Sequence, residues 1–176
     1  MANSQTGFAG GVSIRPFAPS DSIPQLTALL HRSYAPLAAQ GLRYMATHQS
    51  DEVTRKRVDE GECFVAVADG TICGMIVFKD AARTRGCPWY DRDDVASFRQ
   101  FAVEPDLQAQ GLGRRLLSLV EDRAAATGAR EIALDTAEPA MHLVGWYGRL
   151  GYRFIEHAQW GHTNYRSVVL SKSLGQ

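Results

Sequence analysis

Two β-rich runs bracket one helix. "VASFRQFAVEP", residues 95–105, ends on a proline, and "EIALDT", residues 131–136, follows a helix that runs from Gly111 to Thr127 with Gly128 as its C-cap. A strand, a crossover helix and a strand in this order place the two strands parallel. A chain that holds one such unit must build a sheet with helices on its faces.

The flanking sequence fills in that sheet. "VSIRPF" alternates apolar and polar residues and reads as a first strand. Ser20 and Asp21 offer N-cap chemistry to "SIPQLTALLHRSYAPLAAQG", whose Leu26, Leu29, Leu30, Tyr34 and Leu37 share one helical face. Pro36 and Gly41 break that helix near its end. "SDEVTRKRVDEG" is a second, more exposed helix. "CFVAVADGTICGMIVFKD" is a hairpin about Asp69-Gly70, and its antiparallel strands make the sheet mixed. A polar loop, "AARTRGCPWYDRDD", precedes the crossover unit. A short helix, "AMHLVGWYGRL", and two closing strands follow it. The expected order is β-α-α-β-β-β-α-β-α-β-β: an α/β fold, one domain over residues 12–174, after a flexible lead over residues 1–11.

Composition narrows the class. The chain has 176 residues, with 45% hydrophobic and 22% charged, which suits one soluble domain. Lys+Arg and Asp+Glu are both 19, so no basic excess favours a nucleic-acid partner. Cys63, Cys73 and Cys87 form neither a disulfide framework nor a zinc site, and no metal is expected. No signal peptide or membrane-length apolar run is present, so the expected setting is cytoplasmic, with no membrane partner.

At the mouth of the crossover helix stands "QAQGLGRR", residues 108–115. The first turn of a helix has backbone N–H groups without intrahelical acceptors and partial positive charge. An anion fits there, and phosphate fits well. Gly111 and Gly113 remove Cβ atoms from the approach, Gln108 can donate from its amide, and Arg114 and Arg115 add charge. The string matches neither a P-loop nor the full dinucleotide fingerprint.

Q-x-x-G-x-G after a β-run ending V-x-P resembles the acyl-CoA signature of the GNAT superfamily of N-acetyltransferases. Downstream, "WYGRLGYRFIE", residues 146–156, resembles that superfamily's second motif. The resemblance covers residues 12–174, including element order. It implies a GNAT-type mixed, centrally splayed β-sheet flanked by helices, with acetyl-CoA as co-substrate. The backbone of Phe101, Ala102 and Val103 would meet the pantetheine. The loop Gln108, Ala109, Gln110, Gly111, Leu112, Gly113, Arg114 and Arg115 would hold the pyrophosphate. Tyr147 matches the motif tyrosine, and a phenol of pKa ~10 can protonate a leaving thiolate whose conjugate acid is near ~8.5.

Two positions depart from the family pattern. Ser97 stands where many relatives carry a basic glutamate. Ala140, seven residues before Tyr147, stands where many carry a cofactor-contacting asparagine. The proton acceptor is therefore open among Glu138, His142, Asp91, Asp93, Asp94 and a water relay. Acceptor residues would come from the first helices and the polar loop: Tyr34, Tyr44, Trp89 and Tyr90, beside Leu37, Leu42 and Met45, in a partly apolar pocket. Trp89 and Tyr90 would form a lid over it. The expected activity is direct acetyl transfer in a ternary complex to a small amine, an amino acid or a peptide N-terminus. The alternative is a non-catalytic acyl-CoA-binding regulatory module. The closing strands leave a sheet edge open to pairing in a homodimer.

Overall fold

Seven strands and four α-helices follow the expected order in the computed structural model, which describes residues 11–175. Apart from Gly11, the expected N-terminal lead lies outside the described residues. The strands are β1 (Ser13–Pro16), β2 (Glu62–Ala68), β3 (Thr71–Lys79), β4 (Val95–Val103), β5 (Glu131–Ala137), β6 (Arg153–Ala158) and β7 (Ser167–Ser173). The helices are α1 (Ile23–Ala39), α2 (Asp51–Asp59), α3 (Leu112–Ala126) and α4 (Met141–Arg149).

All strands join one sheet in the order β1-β2-β3-β4-β5-β7-β6. Only β4 and β5 pair in parallel, as their crossover demands. β7 inserts between β5 and β6, so β6 is the C-terminal edge.

Each face of the sheet is covered by its own helices. Phe64, Ile76, Phe78, Phe98, Ile132 and Leu134 meet Leu116, Leu117 and Val120 of α3 and Tyr147 of α4. On the opposite face Val65, Met75 and Val77 meet Leu26, Leu29 and Leu30 of α1 and Val58 of α2. These side chains are nearly all fully buried, and each full burial stabilises by about 1.5–3 kcal/mol before chain entropy is counted.

Two local expectations are corrected. Ser22 caps α1, its hydroxyl accepting from the Gln25 N–H at 3.3 Å. Asp21 is drawn away by the Arg15 guanidinium, which reaches its two oxygens at 2.7 and 2.8 Å. Pro36 does not end α1, which runs on to Ala39. A proline deletes one backbone hydrogen bond and crowds the carbonyl four residues back, and α1 continues for only three residues beyond it.

One carboxylate ties three strands together. Glu131 opens β5 and accepts from Ser171 Oγ and Ser173 Oγ, each at 2.7 Å, and from Arg153 Nη2 at 2.8 Å. Burial pushes its pKa up. The hydrogen bonds from Arg153, Ser171 and Ser173 outweigh that and leave it below the ordinary value.

Candidate active site

The parallel seam opens after three residue pairs. Val95, Ala96 and Ser97 pair with Glu131, Ile132 and Ala133, and there pairing stops, although β4 continues to Val103 and β5 to Ala137. Buried backbone polar groups without partners are costly, so a gap between central strands needs substitutes. Two tyrosines supply part of them. Tyr34 Oη donates to the Phe101 carbonyl at 3.1 Å, and the Ala137 N–H donates to Tyr44 Oη at 3.0 Å.

A bulge shapes the β4 side of the gap. Gln100 adopts φ 52°, and the β3–β4 register shifts between Met75 and Val77, so Gln100 and Phe101 together oppose Ile76. The left-handed residue re-aims the strand where it leaves its neighbour. The Gln100 side chain is fixed by Gln49, whose Nε2 donates to its Oε1 at 2.7 Å.

Beyond β4 the chain turns into α3 through residues 104–111. Gly111 caps the helix in the left-handed region, φ 86°, and no side chain caps the first helical N–H groups. Gly113 is different. A Cβ built there would come no nearer than 3.5 Å to the Phe101 ring and 3.7 Å to Val103 Cγ2, ordinary contact distances. The fold would accept a side chain at Gly113, and its absence leaves backbone open to a ligand. The Gln108 amide is turned inward instead, donating to the Val103 carbonyl at 3.1 Å, while its own N–H bonds to Pro105. Arg115 Nη2 donates to the Val12 carbonyl at 3.0 Å, and Arg114 is exposed.

A cavity of about 230 Å³ lies at the gap and is lined from both faces of the sheet. Tyr147 reaches it from α4, with its ring packed against Phe98, Trp146 and Tyr152. Its hydroxyl makes no hydrogen bond among the described residues. Burial pushes its pKa far above the ordinary value, so it keeps its proton at neutral pH.

Asp135 faces the cavity from the other side. Tyr90 Oη donates to its Oδ1 at 2.9 Å and Trp160 Nε1 to its Oδ2 at 2.8 Å. Enclosure by protein raises its pKa, and those two donors reduce the rise without cancelling it. The carboxylate nonetheless keeps accessible surface, because the cavity opens onto it. His162 lines the same wall, its pKa lowered by burial and by nearby Arg57.

The pocket has apolar walls but also carries charge that the sequence reading did not expect. Arg57, Lys79, Arg85 and Arg99 also line it, with Asp135 as the only carboxylate among the lining residues. Tyr34, Tyr44, Met45 and Tyr90 line it as well. Leu37 and Leu42 pack instead against Ala137 and Ala140. Trp89 does not line it and forms no lid. Its backbone N–H donates to Glu156 Oε1 at 2.9 Å, and its ring lies under Arg92, 4.3 Å from the guanidinium carbon. Tyr90 is buried and bound to Asp135, so it is a wall of the cavity.

The five side chains considered as bases all lie outside the cavity lining. Glu138 is held by Arg166 and His157, and the Arg166 guanidinium lowers its pKa. Asp94 pairs with Arg92, and Asp91 accepts from the Gly86 N–H. Asp93 and His142 are exposed. Ser97 lines the cavity, with its hydroxyl 2.9 Å from that of Thr84.

Residues 24–152 match the acetyltransferase (GNAT) family. The chain belongs to this family. A curated relative, S-(2-succino)cysteine N-acetyltransferase of Bacillus subtilis (strain 168), is 29% identical over 133 residues, which are 73% of this chain and 76% of the relative. Among solved structures, PH1933 from Pyrococcus horikoshii OT3 is similar at 19% identity and TM-score 0.71, covering 94% of this chain and 100% of that one. N-acetylglutamate synthase from Neisseria gonorrhoeae, complexed with coenzyme A and N-acetyl-glutamate, is similar at 22% identity and TM-score 0.67. That match covers 95% of this chain and 36% of the synthase. This GNAT protein is an acetyl-CoA-dependent N-acetyltransferase. Among the described residues, no helix is long and apolar enough to cross a membrane.

Proposed function

We propose that this GNAT acetyltransferase moves the acetyl group of acetyl-CoA directly to the amino group of an amino-acid-like acceptor, with both bound together. The observation that carries this reading is the single cavity running through the β4–β5 gap, with Tyr147 on one side and Asp135 on the other.

The backbone of Phe101, Ala102 and Val103 borders the gap and would bond the pantetheine arm. The N–H groups from Ala109 through Arg114 would hold the pyrophosphate, where Gly113 leaves room. The Gln108 side chain braces the loop through Val103 rather than meeting the anion.

Asp135 would take the proton that leaves the amine. A carboxylate of raised pKa is a stronger base than an ordinary one, and both its oxygens are oriented by donors. One N–C bond forms and one C–S bond breaks. Tyr147 would deliver a proton to the departing sulfur, and its raised pKa keeps it protonated for that task. None of the three cysteines lines the cavity, and burial pushes Cys63 up to about 12 and Cys87 up to about 11, which supports direct transfer over an acyl-cysteine route. Two relatives are named for amino-acid acceptors, which supports an acceptor of that kind here.

Initial-rate kinetics with acetyl-CoA and an amine panel, reading released thiol, test this. Intersecting lines support a ternary complex. Parallel lines, the pattern of a covalent acyl-enzyme, overturn it.

A further inference from the structure

We infer that the acceptor is an amino acid carrying at least one carboxylate besides its α-carboxylate, and that Arg57, Lys79 and Arg99 bind it. This rests on the acetyl-transfer reading and names the class of acceptor for the same site.

The chain as a whole is electrically balanced, with 19 basic and 19 acidic residues. The cavity is not. Four cations and one carboxylate line it. Arg57 and Lys79 have no ion pair or side-chain hydrogen bond among the described residues, although neither is fully exposed. Arg99 pairs through Nη2 with the Glu60 carboxylate, and its buried Nε has no hydrogen-bond partner among the described residues. Arg85 is engaged with the carbonyls of Ala81 and Thr84 at 2.6 Å. Elsewhere arginines pair closely with acids, as Arg15 does with Asp21, Arg123 with Glu62 and Arg153 with Glu131.

Gathered cations are costly when only one of the three is paired, and burial lowers the pKa of each: Arg57, Lys79 and Arg99, the last to about 10. A fold gains nothing by keeping them so. An anion entering the cavity removes that cost, and a planar guanidinium matches a carboxylate with two parallel hydrogen bonds.

The phosphates of CoA are not that anion. Gly113 and the α3 N-terminus lie beside Phe101 and Val103, on the face covered by α3 and α4. Arg57 belongs to α2, and Arg99 reaches Glu60, the C-cap of α2, on the opposite face. The two charged regions are separated by the sheet. On the cation side the single acid, Asp135, is left for the amino group. The charge pattern is the complement of an amine with carboxylates attached, and a polyamine would be repelled.

The test compares glutamate and S-carboxymethylcysteine with their side-chain amides and with simple alkylamines of similar size. Acetylation is read as released thiol, and binding is read by calorimetry with CoA present. The expected order for both is dicarboxylate over amide over alkylamine. Arg57→Gln and Arg99→Gln should raise KM for the dicarboxylates at least tenfold with kcat little changed, and leave alkylamines as they were. Arg57→Lys should recover part of the loss, which separates recognition from misfolding. Equal use of alkylamines and dicarboxylates overturns the proposal and leaves acetyl transfer standing. Binding of dicarboxylates that depends on Arg57, with no acetylation of any amine, supports the anion site and overturns the transfer reading. No binding of any carboxylated amine overturns the proposal outright.

Discussion

Tyr90 donates its phenolic hydrogen to Asp135 Oδ1 at 2.9 Å, from a loop that the sequence marks only by proline and aromatic residues. Trp160, from the β6–β7 loop, holds the other oxygen at 2.8 Å. Two loops far apart in the chain thus fix one carboxylate on the inner wall of the cavity.

Asp135→Asn removes the base and turns an amide nitrogen or oxygen toward donors that expect a carboxylate. Turnover falls by roughly 10²-fold or more, the usual worth of a positioned base. In the parent enzyme the rate declines as pH falls through the raised Asp135 pKa, because the protonated acid cannot accept. That acidic limb disappears in the variant. A variant with unchanged turnover and the same limb would remove Asp135 from the mechanism.

Tyr147→Phe isolates the phenol from the ring. The ring packs among Phe98, Trp146 and Tyr152, and the hydroxyl bonds to nothing described, so the melting temperature stays close to that of the parent. Turnover drops by about 10²–10⁴-fold, and CoA affinity is spared. Calorimetry with CoA beside steady-state rates decides it, and a full-rate variant refutes the acid role.

Gly113→Ala separates the needs of the fold from those of the ligand. The new methyl group meets only ordinary contacts, and alanine adds up to about 1 kcal/mol of helix preference. The variant melts no lower than the parent, yet binds CoA roughly tenfold more weakly, about 1.4 kcal/mol. A destabilised variant with normal CoA binding would reverse the assignment.

Glu131→Gln loosens β5, β6 and β7 at once. The loss at neutral pH is about 2–3 kcal/mol, the worth of hydrogen bonds to a charged group. The folded carboxyl titrates below the usual value near 4.5, so its contribution is present above that pH and is lost as pH falls through the lowered pKa. Urea titrations at stepped pH check this, with parent and variant converging in acid.

The order of elements was legible because each carries its own local signal: the Asp69-Gly70 turn, the leucine stripe of α1, and the strand–helix–strand unit. The loop proposed to hold CoA stands out for the same reason, since its residues are neighbours in the chain. The acceptor wall was not. Arg57 on exposed α2, Arg99 within β4 and Asp135 within β5 each look like the polar side of an amphipathic element. Only the sheet brings them to one cavity. A charged residue inside a strand that faces the β4–β5 gap was the one available clue, and Asp135 in "EIALDT" fits it. Trp89 misled because an aromatic residue in a polar loop suggests a ligand, while here it is fastened by Glu156 and Arg92.

Three residue pairs are all that join β4 to β5. Strands β1–β4 form one block and β5–β7 another, each knit by long antiparallel ladders. Neither block owns the whole of the proposed site: Arg57, Arg99 and the proposed CoA loop sit before the join, and Asp135 and Tyr147 after it. Catalytic competence is therefore a reading of how the two blocks are assembled, and it can be lost by a small shift at the join while every strand and helix keeps its own hydrogen bonds.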